Sequence, residues 1–370
     1  MTRDTATARI PDTERWSSPA YPVFAATGTA AGLGALWLFP SMVQQHGGGA
    51  FVLAYLAAML LVGWPLLLTE LSLGRIGGPD PLRAFLVAHR QAPAWSWTGL
   101  PIALTATILL TACGLFGGWS LDFAWSALAE PPSPAGGPAP AIAAGPLRLL
   151  AAQAVFIGAV AGIMAGGLRH GVERTLRWVV PAVFALLLAL VCFGMVTNDR
   201  FGQSLALLVV ADFSRLGASG IVAALGLALI TVAAGCGAML GLGAHACRAT
   251  SLAQVAVTVV VVDVVIALLA ALAILPVVLE SGVEPADGAA LLFVALPPAF
   301  ARTSGGGPLA AVYFTCAALS ALAAAVSLCG PVVGSLQGRL GLRRPAAVKI
   351  VAAGCWSAGA AVTVLGSLPA

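Results

Sequence analysis

Nine apolar stretches run through this chain, near 21–44, 51–73, 97–128, 147–166, 178–197, 217–243, 252–279, 308–336 and 347–368, and almost no charge interrupts them. Each is about 20 residues or longer, the length a helix needs to cross hydrocarbon. Inside hydrocarbon a lone chain satisfies its backbone only by coiling into a helix. With 370 residues, 60% hydrophobic and 9% charged, a soluble domain of this size is excluded. The expectation is an all-α membrane protein of nine transmembrane helices, multi-pass in a cell inner (plasma) membrane. Placing the amino terminus in the cytoplasm leaves only Arg148, Arg200, Arg215 and Arg302 of the 18 lysines and arginines outside. An odd number of spans then puts Ala370 outside. The residues up to Arg15 are polar and lack a signal-peptide core, so the first span is expected to be retained.

Two of the stretches carry the same interruption. Ala30-Ala31-Gly32-Leu33-Gly34 breaks the first, and Ala233-Ala234-Gly235-Cys236-Gly237 breaks the sixth. Glycines two apart weaken a helix and free its backbone. Unwound chain survives in a membrane only where it lines a cavity or is buried in protein. Paired breaks in two halves point to the binding site of an inverted-repeat transporter. Close helix packing through small residues is the alternative origin of such a pattern.

The order of further motifs adds a family resemblance. It is carried by Gly28-Thr-Ala-Ala-Gly-Leu-Gly34, Trp37-Leu-Phe-Pro40, Gly47-Gly-Gly-Ala-Phe51, Gly63-Trp-Pro-Leu66, and Glu70-Leu-Ser-Leu-Gly-Arg75 with Gly77-Gly78. Gly166-Gly-Leu-Arg-His-Gly-Val-Glu-Arg174 with Pro181, then Leu296-Pro297, Gly305-Gly306 and Pro331, extend it to about residue 340. In these residues the chain resembles the neurotransmitter:sodium symporter family, whose bacterial members mostly carry amino acids. The resemblance implies a five-plus-five inverted repeat with helices 1 and 6 broken. On that basis 1–20 is a cytoplasmic segment, 21–200 the first repeat with spans 1–5, and 201–370 the second repeat with spans 6–9. The family usually has more than nine spans, so a truncated repeat without its tenth span is expected. Either a homodimer or a partner chain replaces the missing spans, or the protein gates differently.

Backbone amides of Leu33 and Gly34, at the start of a half-helix, suit an anionic group. Carbonyls near Gly28, Ala30 and Ala31 suit a cation. The resemblance assigns the substrate to a cavity here, with Ala30, Leu33, Gly34, Cys113, Thr231 and Ala233 as candidate contacts. It assigns ions to Gly28, Ala31, Thr231, Asp263 and Ser320. Thr231 matches a threonine beside one of the family's sodium ions, although threonine also bonds its own helix. Ala35 stands where the family has a sodium-binding asparagine, and Ala323 and Ala324 stand where a Thr/Ser pair holds the other sodium. Cys113 replaces a tyrosine and Leu38 an external-gate arginine. Hard cations need oxygen ligands, which these side chains lack.

Two carboxylates lie within spans. Glu70 is expected to accept bonds from the broken sixth span, or else to sit as a helix-end acid beside Arg75. Asp263 is mid-span among valines with no cation at helical reach, which marks a proton or single-ion site, or an acid bonded to a neighbouring helix. The four histidines form no metal-spaced pair, the seven cysteines read as packing residues, and the tryptophans read as interfacial anchors and packing. No enzyme motif or cofactor signature is present, and sodium or a proton is the expected coupling ion. The leading expectation is a secondary transporter of an amino acid or similar small zwitterion with degraded sodium-site side chains. The other is a non-transporting sensor or accessory subunit on a degenerate transporter fold.

Overall fold

The computed structural model describes residues 15–18, 20–30, 34–89, 93–129, 145–247, 249–281, 291–303 and 305–366. Among the described residues the structure is helical, apart from turns and one isolated bridge between Gly48 and Ala211. Eight helices are long and apolar enough to cross a membrane: Gly49–Gly77, Gly99–Ala129, Pro146–Ala165, Leu168–Thr197, Phe213–Thr231, Leu252–Glu280, Gly306–Leu340 and Arg344–Leu365. They are spans 2 to 9. Span 1 is the bent pair Tyr21–Ala30 and Gly34–Gln45, whose axes differ by 45°. Span 6 continues past a break as the short helix Ala238–Ala244. A shorter apolar helix spans Leu291–Arg302. The Pro/Gly/Ala-rich stretch 130–144 lies outside the described residues.

Span 8 is the central column. Within its most apolar window 72% is buried, against 44% for span 7 and less for the others. Its inner stretch is rich in alanine, from Ala317 to Ala325, so neighbouring helices approach closely on several sides. Glycine does the same between spans 2 and 6. A Cβ on Gly74 would strike the carbonyl oxygen of Leu240, and one on Gly243 would strike that of Leu71. This reciprocal contact seats the second half of span 6 against span 2. On span 3, Cβ atoms at Gly114, Gly117 and Gly118 would run into Ile157, Phe156 and Gln153 of span 4.

Polar groups tie the ends. Arg148 at the start of span 4 donates from Nε to Asp122 Oδ1 (2.6 Å) and from Nη2 to Ser126 Oγ (2.6 Å) on span 3. Asn198 donates to Glu280 at 2.6 Å, linking spans 5 and 7. On the amino-terminal side a strap crosses the bundle. Trp16, only 2% exposed, donates its backbone N–H to His245 O (3.1 Å) and its indole N–H to Leu242 O (3.2 Å). Ser17 donates both N–H and hydroxyl to the two oxygens of Glu173, each at 2.7 Å. Trp16 is therefore a buried plug rather than an interfacial anchor, whereas Trp97 and Trp178 are exposed, as anchors are.

Candidate functional site

The break in span 6 is a run of turns from Val232 to Gly237. Ala233, Gly235 and Gly237 have φ of 51°, 76° and 71°. Left-handed backbone is free for the glycines but costs about 1–2 kcal/mol for Ala233, so the surroundings must hold it there. Glu70 of span 2 does so by accepting the Gly235 N–H. Arg75, the other partner considered for Glu70, instead donates to the carbonyls of Thr250 (2.7 Å) and Cys247 (3.4 Å).

Span 1 stops at Ala30 and resumes at Gly34 with a π-turn over Gly34–Leu38. Ala31 and Leu33 lie outside the described residues. The two breaks meet: a Cβ on Gly34 would come within 3.3 Å of Ile230 Cγ2 and 3.6 Å of Thr231 Cγ2. Gly235 is exposed, and a Cβ there would touch nothing within 4 Å. Ala30 and Ala233 are buried at the edges of the two breaks, and Cys113 is half-buried on span 3. Farther along spans 1 and 3, Phe293 of the short helix packs against Phe116, Trp119 and Phe123, with centroids 5.9, 5.3 and 5.3 Å away. Trp37 joins at 5.5 Å from Phe116, and with Phe293 only 3% exposed the rings close that side.

Behind the breaks is a polar triangle in an otherwise apolar core. Tyr55 of span 2 donates its hydroxyl to Asp263 Oδ2 of span 7 at 2.6 Å. Its oxygen lies 3.1 Å from Thr231 Oγ1, and Thr231 is also 3.3 Å from the carbonyl of Ala228 on its own helix. Tyr55 and Asp263 are both 0% exposed, and Asp263 Oδ1 has no hydrogen-bond partner among the described residues. Thr231 and Asp263 are thus brought together, and Tyr55, which the sequence reading passed over, joins them. Its signal was present: it is one of three tyrosines and lies within an apolar span, where a phenol needs a partner.

The remaining candidates lie where span 1 meets spans 5 and 8. A Cβ on Gly28 would come within 3.0 Å of Val180 Cγ2, 3.1 Å of Ala323 Cβ and 3.6 Å of Leu176 Cδ2. Ser320, one turn before Ala323 and Ala324, is fully buried. Methyl groups face Gly28 at this corner, while the buried hydroxyls of Thr27 and Ser320 have no hydrogen-bond partner among the described residues.

Comparison with known proteins agrees with the architecture. The family model described as the sodium:neurotransmitter symporter family matches residues 13–131. An uncharacterized sodium-dependent transporter of Bacillus subtilis (strain 168) is 30% identical over 331 residues, covering 87% of this chain and 72% of that protein. One from Haemophilus influenzae is 25% identical over 367 residues, covering 95% of this chain and 80% of the relative. Among solved structures, MhsT in complex with L-phenylalanine superposes with a TM-score of 0.83 at 28% identity, covering 96% of this chain and 83% of that one.

Proposed function

The chain belongs to the sodium:neurotransmitter symporter family, and from that premise we propose that it is a secondary transporter of an amino acid or similar small zwitterion. The observation that carries this reading is the meeting of two helix breaks, with Gly34 of span 1 packed against Ile230 and Thr231 at the break of span 6. A carboxylate fits the N–H groups at the start of the half-helix at Gly34, and an ammonium fits carbonyls freed by the breaks. The similar structure named as a complex with L-phenylalanine supports an amino acid as the cargo. The basic residues support a plasma-membrane protein with its amino terminus inside, so that the Trp16–Ser17 strap covers the cytoplasmic end.

We infer that coupling departs from what the family resemblance implies. Around Gly28 the side chains of Val180, Leu176 and Ala323 offer methyl groups, and the hydroxyl of Ser320 is left as the side-chain oxygen a hard cation needs there. At the other position Ala35 offers none, while Thr231 and Asp263 do, with Oδ1 of Asp263 still unpartnered among the described residues. A single ion or a proton at Asp263 is therefore the proposed coupling site, and transport is weakly dependent on sodium. The methyl-lined corner also favours a second reading, a sensor or accessory subunit that binds without transporting.

The deciding experiment is thermal stabilisation of the detergent-purified protein by single amino acids, followed by uptake into proteoliposomes. At a hundred times its dissociation constant a true ligand adds about 2.7 kcal/mol of stability. Stabilisation with uptake supports transport, and stabilisation without uptake supports the second reading. No stabilisation by any amino acid, with no uptake, overturns both.

A further inference from the structure

Spans 4 and 9 are tied together at two levels. At one, Gln153 donates to the Trp356 carbonyl at 3.5 Å, and the Trp356 indole donates to Leu150 O at 3.4 Å. At the other, Arg344 donates from Nε to Met164 O at 2.9 Å. Between these ties lies a partly open cleft of about 220 Å³, backed by spans 3 and 8 and walled by apolar side chains such as Ile157, Val160, Val348 and Val351. Ala161 and Ala352 are its half-exposed lining residues and form the mouth, since the rest of the lining is buried. Beside the mouth Gly158 and Gly162 are exposed, and a Cβ on either would meet nothing within 4 Å. The cleft therefore continues outward as a shallow groove on the face that a spanning helix turns to hydrocarbon. Charge gathers at the Arg344 end. The stretch 337–349 carries Arg339, Arg343, Arg344 and Lys349 and no acidic residue. Glu173, the acid of the loop that follows span 4, is held by Ser17 of the amino-terminal strap. Arg343 and Lys349 are exposed, and Lys349 precedes Ala352 by three residues, less than one turn from the mouth. A lysine so placed lays its stem along apolar surface and lifts its ammonium to the headgroup level.

We propose that this cleft binds an anionic phospholipid, with an acyl chain across Ala161 and Ala352 and the phosphate between Lys349 and Arg343. An acyl chain fills an apolar cleft without burying any polar group. Basic residues at the end of such a cleft, between helices, select anionic headgroups over zwitterionic ones. The bound lipid bridges spans 4 and 9 on their open side, away from the two helix breaks. The inference rests on the cleft and its charge, independently of what the protein transports.

The test titrates the delipidated protein in detergent with phosphatidylglycerol or with phosphatidylcholine of the same acyl chains, and native mass spectrometry counts the lipid retained. The expected result is a single phosphatidylglycerol bound in preference to phosphatidylcholine. Lys349→Gln combined with Arg343→Gln is expected to weaken its binding roughly twentyfold, about fivefold for each charge removed. Ala161→Leu is expected to weaken it by filling the mouth, and Gly158→Leu, whose side chain enters open space, repeats that test if Ala161→Leu does not fold. Arg174→Gln combined with Arg177→Gln removes two exposed charges from span 5 and is expected to leave binding unchanged. Variants are compared where their melting curves match the parent. Equal retention of the two lipids overturns the proposal, as does undiminished binding in the Lys349 and Arg343 variant or in the mouth variants. An equal loss in the Arg174 and Arg177 variant also overturns it, because the attraction would then belong to the whole basic surface.

Discussion

Replacing Tyr55 by Phe removes one oxygen from the triangle and nothing else, so its cost can be worked from the contacts. The lost hydroxyl donates to Asp263 Oδ2 at 2.6 Å and meets Thr231 at 3.1 Å. Thr231 keeps the Ala228 carbonyl as a partner, so it loses little. Asp263 loses the Tyr55 donor on Oδ2, while its Oδ1 has no hydrogen-bond partner among the described residues in a fully buried position. A hydrogen bond to a charged acceptor is worth about 1.5–3 kcal/mol, and phenylalanine fills the same volume, so no cavity term is added. With roughly 2.1 cal/mol/K of unfolding entropy per residue over 370 residues, Tm falls by about 2–4 °C. The assay is a melting curve in detergent for Tyr55→Phe, Asp263→Leu and the double variant. With both polar partners gone the double variant regains stability relative to Tyr55→Phe, because no carboxylate is left orphaned. Strictly additive losses, or no loss in Tyr55→Phe, refute the reasoning.

Glu70→Ala leaves the Gly235 N–H without its acceptor at the span 6 break and is expected to cost about 1–3 kcal/mol; an unchanged melting temperature removes Glu70 from the site. Gly74→Ala drives a methyl group into the Leu240 carbonyl and is expected to cost about 1–3 kcal/mol or more, whereas Gly78→Ala meets no atom within 4 Å and pays only for its positive φ; equal melting temperatures for the two contradict the packing. Ser17→Ala removes one of two bonds to Glu173 and should speed protease cleavage of the amino-terminal segment, while Ser18→Ala, clear of Glu173, should not; equal rates would show that the strap is held elsewhere. Uptake driven separately by sodium and by pH gradients should depend weakly on sodium and fall sharply in Asp263→Asn; steep cooperative sodium dependence that survives the substitution refutes the coupling proposal.

The membrane spans were legible in the sequence because they depend on quantities local to each stretch. A run without charge must coil, and paired glycines must weaken the coil, whatever lies beside them. The breaks after Ala30 and Thr231 and the Glu70 contact were readable on those grounds or by resemblance. Tyr55 signalled only that a phenol in an apolar span needs some partner; which one was not readable, because Asp263 is 208 residues away. Nor was the role of Trp16, since interfacial anchors and buried plugs have the same composition and only the His245 and Leu242 carbonyls distinguish them. The sequence by itself determined that this chain crosses the membrane and where two of its helices must open, because hydrocarbon judges each segment alone. Only the tertiary structure decided which side chains meet at those openings, because a buried polar group is settled by whichever partner the packing brings within reach.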